Sequence, residues 1–167
     1  MRLALPAIVF CALALGAPSF AQAPDFHGQH NDWRVFTRGS GEERICYAVT
    51  RPTDSRPGTV DHGDVYFFVS SWANGAAREQ PSFLAGYELR ADNPPRASVG
   101  SDRVSMYVDE REGFVEEPRE EARLVDAMRR GATMRIEAVS ARGTNTAYTF
   151  SLSGVTAALR QTGELCR

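Results

Sequence analysis

Lysine is absent from this 167-residue chain, so all 19 of its cationic side chains are arginines. They are scattered, and 21 acidic residues outnumber them. A nucleic-acid binder gathers its basic residues on one face or helix, so the all-arginine usage reads as compositional bias and no nucleic-acid partner is expected. Cysteine is scarce, with three in all. Long apolar runs are missing beyond the first 21 residues: none is longer than Val65 to Val69, which is strand-sized and too short for a membrane-spanning helix. Alternating segments of about ten residues, the mark of an outer-membrane barrel, are missing as well. There is no internal repeat, no low-complexity tract and no sign of a second domain. With 43% hydrophobic and 24% charged residues, the composition is that of a folded globular domain of one-domain length.

The first 21 residues form a different kind of segment. Arg2 precedes an apolar stretch of 13 residues, Leu3 to Leu15; Gly16, Pro18 and Ser19 break it, and Ser19-Phe20-Ala21 places small residues at −3 and −1. This is the layout of a cleavable secretory signal peptide, residues 1–21, with cutting after Ala21 preferred over Ala23 because Pro24 would follow the latter bond. Thirteen apolar residues are too few to span a bilayer. Bulky Phe10 before Cys11 argues against a lipoprotein signal. Processing leaves 146 residues with 18 arginines against 21 acids, a charge of −3 with histidine neutral. Cys11 departs with the leader, and Cys46 and Cys166 remain, 120 positions apart. In an oxidising compartment an even pair reads as one intramolecular disulfide, whereas two distant thiols make a poor metal site. The expected location is periplasmic, with envelope association or secretion also open.

Residues 22–31 (QAPDFHGQHN) are polar and turn-rich and are expected to form a flexible entry segment to a single domain, 32–167. Strands are expected at Trp33–Arg38, Arg44–Arg51, Val65–Ser71, Phe83–Arg90, Arg103–Asp109 and Gly113–Val115. Arg44–Arg51 carries apolar residues on both faces, Ile45, Tyr47 and Val49 against Cys46 and Ala48, so it is expected to be central and buried. One long helix follows. Pro118 suits its first turn, Glu120 and Glu121 its positive end, Arg129 and Arg130 its negative end, and Gly131 its C′ position. A hairpin then spans Thr133–Ala141 and Asn145–Leu152, and Ser153 is placed to cap a short helix, Val155–Thr162. The fold class is all-β, a sandwich with one or two short helices in the C-terminal third; an α+β arrangement is the alternative.

The segments ICYAVTRP (45–52), DVYFFVSS (64–71), EEARLVDAMRRGATMRIEAVSARGT (120–144) and YTFSLSGVTAALRQTGELC (148–166), with Trp33 at the start, resemble the invasion-associated locus B family of alphaproteobacterial envelope proteins. The resemblance covers about residues 32–166 and departs from the family's pattern before Trp33, in the loop 52–63, and at Phe114 in place of a tryptophan. It implies a periplasmic or envelope location and an immunoglobulin-like β-sandwich. It supplies no catalytic residues and does not imply a role in invasion.

The residues themselves carry little chemistry. His27 and His30 stand at i, i+3 and His62 lies in a polar loop, but zinc needs about four ligands at fixed geometry and loop polarity accounts for all three. No G-x-S-x-G elbow and no phosphate-cradling glycine loop is present. Ser151 and Ser153 fit strand alternation and helix capping, and Glu116, Glu117, Glu120 and Glu121 fit a solvated helix start. The reading is a non-catalytic envelope module without cofactor or metal that binds a protein, a cell-envelope component or nothing tightly. The alternative is a small hydrolase or metal-handling protein whose site assembles only on folding.

Overall fold

The computed structural model describes residues 23–167, and the leader read at 1–21 lies outside the described residues. Twelve strands are present among them: β1 (Asp25–His30), β2 (Trp33–Arg38), β3 (Ile45–Thr50), β4 (Asp54–Arg56), β5 (Tyr66–Trp72), β6 (Gln80–Leu84), β7 (Arg96–Val99), β8 (Asp102–Ser105), β9 (Tyr107–Asp109), β10 (Glu112–Phe114), β11 (Thr133–Val139) and β12 (Asn145–Ser151). Two helices, α1 (Pro118–Arg130) and α2 (Val155–Leu165), complete the chain. The strands form two antiparallel sheets, one of seven in the order β1-β2-β3-β5-β6-β10-β9 and one of five in the order β4-β12-β11-β7-β8. The β-sandwich class with two short helices is thus what the chain adopts.

Alternation along each strand separates the two faces of the larger sheet. In β2, Trp33, Val35 and Thr37 are buried while Arg34 and Arg38 are exposed. In β5, Phe67, Val69 and Ser71 are buried between half-buried Tyr66, Phe68, Ser70 and Trp72. The inner faces meet through aromatic pairs, Phe67 with Phe150 at 5.8 Å and Phe83 with Tyr148 at 5.5 Å between ring centroids. Trp33 is fully buried, and its indole N–H donates to Ser151 O across the sandwich at 3.0 Å.

Each helix closes part of the core with an apolar stripe. Helix α1 buries Leu124, Val125, Ala127 and Met128, with Pro118 in its first turn and arginines in its last. Helix α2 buries Val155, Ala158, Leu159 and Thr162. Among the described residues no helix is long and apolar enough to cross a membrane. Just past α2, Cys166 is bonded to Cys46 of β3, with 5.9 Å between the Cα atoms.

Several expectations are corrected. Within the segment expected as a flexible entry, 25–30 form β1, paired along β2 with a bulge between Phe26 and Gly28. Strand β3 is central, but only one of its faces is core. Cys46 and Ala48 are fully buried, whereas Ile45 and Tyr47 point to the outer face and stay partly exposed. The stretch 103–109 is two strands in different sheets, the chain crossing over at buried Met106. Gly131 is extended (φ −87°, ψ 163°), not left-handed; it is glycine because a Cβ there would strike Val99 Cγ1. Ser153 does not cap α2. The N-cap is Gly154 at φ 93°, where a Cβ would meet the His30 carbonyl, and Ser153 Oγ accepts a hydrogen bond from Asn31 instead.

Candidate functional site

The outer face of the seven-stranded sheet carries the densest group of surface aromatics. Strand register sets Phe26, Phe36 and Tyr47 side by side on β1, β2 and β3. The next row runs Arg34, Val49, Phe68, Ser82, Phe114 and Tyr107 across six strands. Ring centroids step from Phe26 to Phe36 to Tyr47 to Phe68 to Tyr66 at 5.3, 5.6, 5.8 and 5.8 Å. Aromatic pairs at these separations stabilise one another beyond simple area burial. Phe26 and Tyr107, at the two edges, are 55% and 46% exposed. Burial pushes the Tyr47 hydroxyl above the ordinary phenol range, and nearby Arg38 draws it back in part.

Two guanidinium groups are fixed on this face by stacking. The Arg34 Cζ atom lies 5.2 Å from the Phe26 centroid and 5.0 Å from that of Phe36. Arg51 stacks over Tyr66 at 4.7 Å, donates to the Tyr66 hydroxyl, and pairs with Asp64 at 3.1 Å. Stacking of this kind holds an arginine's planar N–H fork in a fixed orientation, and the Arg51 fork is already engaged by Asp64 and Tyr66. Between them lies a cavity of about 270 Å³ lined by Gln29, Asp32, Arg34, Val49, Arg51 and Tyr66. A larger open cavity of about 740 Å³ lies over β11 and β12 and includes Arg56, Arg96 and Arg135. There Arg56 is paired with Asp54 and Arg135 with Glu137, so two of its three cations are already engaged within their own strands.

The three histidines do not come together. His27 Nε2 is 2.8 Å from Thr37 Oγ1, and His30 Nε2 is 2.7 Å from Gln161 Oε1, so both fasten β1 to its neighbours. His62 Nε2 donates to Pro57 O at 3.0 Å, and its Nδ1 lies 2.8 Å from the Tyr148 hydroxyl. Tyr148 donates to Tyr87 Oη at 2.8 Å, which lies 2.5 Å from Thr146 Oγ1. This chain is the nearest approach to a catalytic arrangement. It pins the loop 57–63 to β12 and has no nucleophile: burial, with the Tyr87 contact, drives the Tyr148 phenol far above its usual range. Among the described residues no three His, Cys, Asp or Glu side chains are grouped as a metal site. Of the acidic stretch, Glu120 pairs with Arg123 at 2.5 Å, and burial raises the Glu121 carboxyl.

The aromatic face was not singled out from the sequence. The available signal was β3 and β5, whose outward alternate positions, Ser70 apart, are aromatic or aliphatic where a one-sided sheet would carry polar residues.

No curated protein matches the chain. The crystal structure of invasion associated protein B from Bartonella henselae has a similar fold, with a TM-score of 0.56 over 86% of this chain and 98% of that one, at 12% sequence identity. The family model for invasion associated locus B (IalB) protein matches residues 33–163. That span takes in both sheets except β1, with nearly all of α2, and the chain belongs to the invasion associated locus B family.

Proposed function

We propose that this protein is an exported, non-catalytic envelope protein that works by surface contact with a protein or cell-envelope component, using the outer face of the seven-stranded sheet. The observation that carries this reading is the run of five rings from Phe26 to Tyr66, left uncovered among the described residues and flanked by the stacked guanidinium groups of Arg34 and Arg51. Contiguous apolar patches of this kind on soluble proteins commonly mark interaction sites. The disulfide supports an oxidising compartment and therefore export. Among the described residues, the His62–Tyr148–Tyr87 chain joins side chains that hold a loop in place, which supports a structural role for them.

Site-specific photocrosslinking tests the assignment. A crosslinker at Tyr47 or Phe68 is expected to give discrete products in the native envelope, while one at Arg135, on the outer face of the other sheet, is not. Equal yields from both faces would remove the assignment. Reproducible turnover of a generic ester, phosphate, glycoside or peptide substrate, abolished by a single substitution, would overturn the non-catalytic reading; stoichiometric zinc, copper or iron in untagged protein would favour the metal-handling alternative.

A further inference from the structure

The cavity of about 270 Å³ at the turn between β1 and β2 carries separated charges of both signs. Asp32 and Arg34 both line it. Among the described residues neither is in an ion pair, with the other or with any third group. Extending the β2–β3 register by two residues sets Asp32 opposite Arg51, but the Arg51 fork is turned onto Asp64 and the Tyr66 hydroxyl. The charges at the cavity therefore balance, Arg51 against Asp64 in contact and Arg34 against Asp32 apart. Val49 of β3 and the Tyr66 ring give it an apolar share of its lining.

These groups are held in place by the protein itself. The Arg34 guanidinium is stacked on two rings, 5.2 Å from the Phe26 centroid and 5.0 Å from that of Phe36. The backbone of Asp32 is fixed on both sides. Its N–H donates to Ser153 O at 3.3 Å, and its carbonyl accepts from Thr50 Oγ1 at 2.7 Å. Gln29 Nε2 donates to Asn31 O at 2.7 Å, which pins that amide beside the turn. Recognition groups fixed in advance spare a ligand part of the ordering cost that binding otherwise carries.

We infer that this cavity binds the head of an α-amino acid, its ammonium at Asp32, its carboxylate at Arg34 and a small aliphatic side chain against Val49. A ligand with one charge would meet one of these groups and leave the other facing a group of its own sign or none. A zwitterion complements both, and the planar arginine fork matches a carboxylate with two parallel hydrogen bonds. The volume is below the range of about 300–1,000 Å³ usual for drug-sized ligands, so it suits a single amino acid or an end of that size on a larger molecule. Exposed ion pairs contribute little each, so the dissociation constant should be on the order of millimolar. The site goes beyond the surface-contact reading, because a small ligand would fill it whether or not the rings meet a partner.

Valine titrated into the purified, disulfide-bonded protein should give saturable shifts of the Asp32, Arg34 and Val49 amide signals in two-dimensional NMR spectra. Isovalerate is valine without its ammonium and isobutylamine is valine without its carboxylate; each should bind at least about tenfold more weakly. Asp32→Asn should abolish the preference for valine over isovalerate, and Arg34→Gln the preference for valine over isobutylamine. A merely structural role for either side chain would not exchange preferences in this way. Both sites are exposed, and thermal melts followed by circular dichroism check that each variant folds. Arg135→Gln, on the other sheet, should bind valine as the wild type does. The absence of a saturable shift at about 100 mM valine overturns the inference. Isovalerate binding as tightly as valine overturns it too, as does either variant keeping its preference. Tighter binding of O-phosphoethanolamine, also a zwitterion, would replace the amino acid with a phosphate-bearing head group. Photocrosslinking from Tyr47 and Phe68 reports the contact face separately, so failure there and failure here are told apart.

Discussion

Tyr148 has no solvent exposure, yet its hydroxyl sits between His62 Nδ1 and Tyr87 Oη, 2.8 Å from each. A buried hydroxyl without partners is costly, so this chain is what allows a tyrosine at a core position. Tyr148→Phe removes the hydroxyl and leaves His62 and Tyr87 short of a partner, at an expected loss of about 1–3 kcal/mol in a urea titration. The pH dependence has a definite sign. The folded state holds the Tyr148 phenol protonated well above its usual range, and Tyr47 is shifted the same way. The unfolded chain ionises near its ordinary value of about 10, so the associated stability is present in full below that pH and is lost as the pH climbs above it toward the folded value. Wild-type protein should lose urea resistance between about pH 9 and 11, and Tyr148→Phe should lose less over that interval. Parallel losses in both proteins would contradict the assignment. None of this was legible beforehand, because His62, Tyr87 and Tyr148 are brought together only when the loop 57–63 folds back on β12. Ser153 illustrates the same limit: either it or Gly154 could begin α2, and the choice is made by the His30 carbonyl, which leaves no room for a side chain.

At the scale of elements, what could be read in advance was what local pattern dictates. Strands β2, β3 and β5 and both helices lie where alternation, β-branching and helical apolar stripes place them, and α1 runs from Pro118 to the arginine that precedes Gly131. Strand β1 was missed because Asp25–His30 contains one apolar side chain, Phe26, and a bulge that breaks its alternation. Its order comes from outside the segment, from the β2 ladder and from Gln161 of α2, whose Oε1 accepts from His30 and whose Nε2 donates to His27 O. The outer aromatic face was missed for a related reason: Tyr47 and Ile45 look like core residues until register shows which side of the sheet faces the sandwich. The disulfide was anticipated from parity of cysteines, and the fold explains its position. Helix α2 packs on β3 and β2, and the bond fastens its end to buried Cys46. Closing a loop of 120 residues constrains the unfolded chain by up to about 4–5 kcal/mol on the chain-entropy model. That is a large share of a typical domain stability of about 5–15 kcal/mol. Cys46→Ser and Cys166→Ser should lower the urea midpoint by similar amounts, and the double variant by little more than either. Two single variants that differ widely would show that a free thiol or a packing defect dominates over the crosslink.

For the molecule as a whole, the dependence on one covalent tie connects folding to compartment. Two sheets meet over a core assembled from distant segments: Trp33 reaches Ser151, Phe67 meets Phe150, and Cys46 joins Cys166. Such non-local pairing folds slowly and leaves sheet edges exposed while it proceeds. A thiol-reducing cytoplasm would withhold the bond that fastens α2 and would leave Val155, Ala158 and Leu159 able to fray from the core. An oxidising compartment would supply it, and the export proposed from the signal-peptide layout of residues 1–21 would supply the route. Expressed with its leader in a Gram-negative host, the protein should be recovered in the periplasmic fraction beginning at Gln22, with no thiol open to alkylation even in denaturant. Expressed from Gln22 in a reducing cytoplasm, it should carry two alkylatable thiols and be cut faster by protease, the first cuts falling in α2. Oxidation of that cytoplasmic product should restore protease resistance without any other change. An uncleaved, cytoplasmic product from the leader-bearing gene would defeat the export reading, and equal protease resistance of reduced and oxidised protein would show that the core holds α2 without the bond.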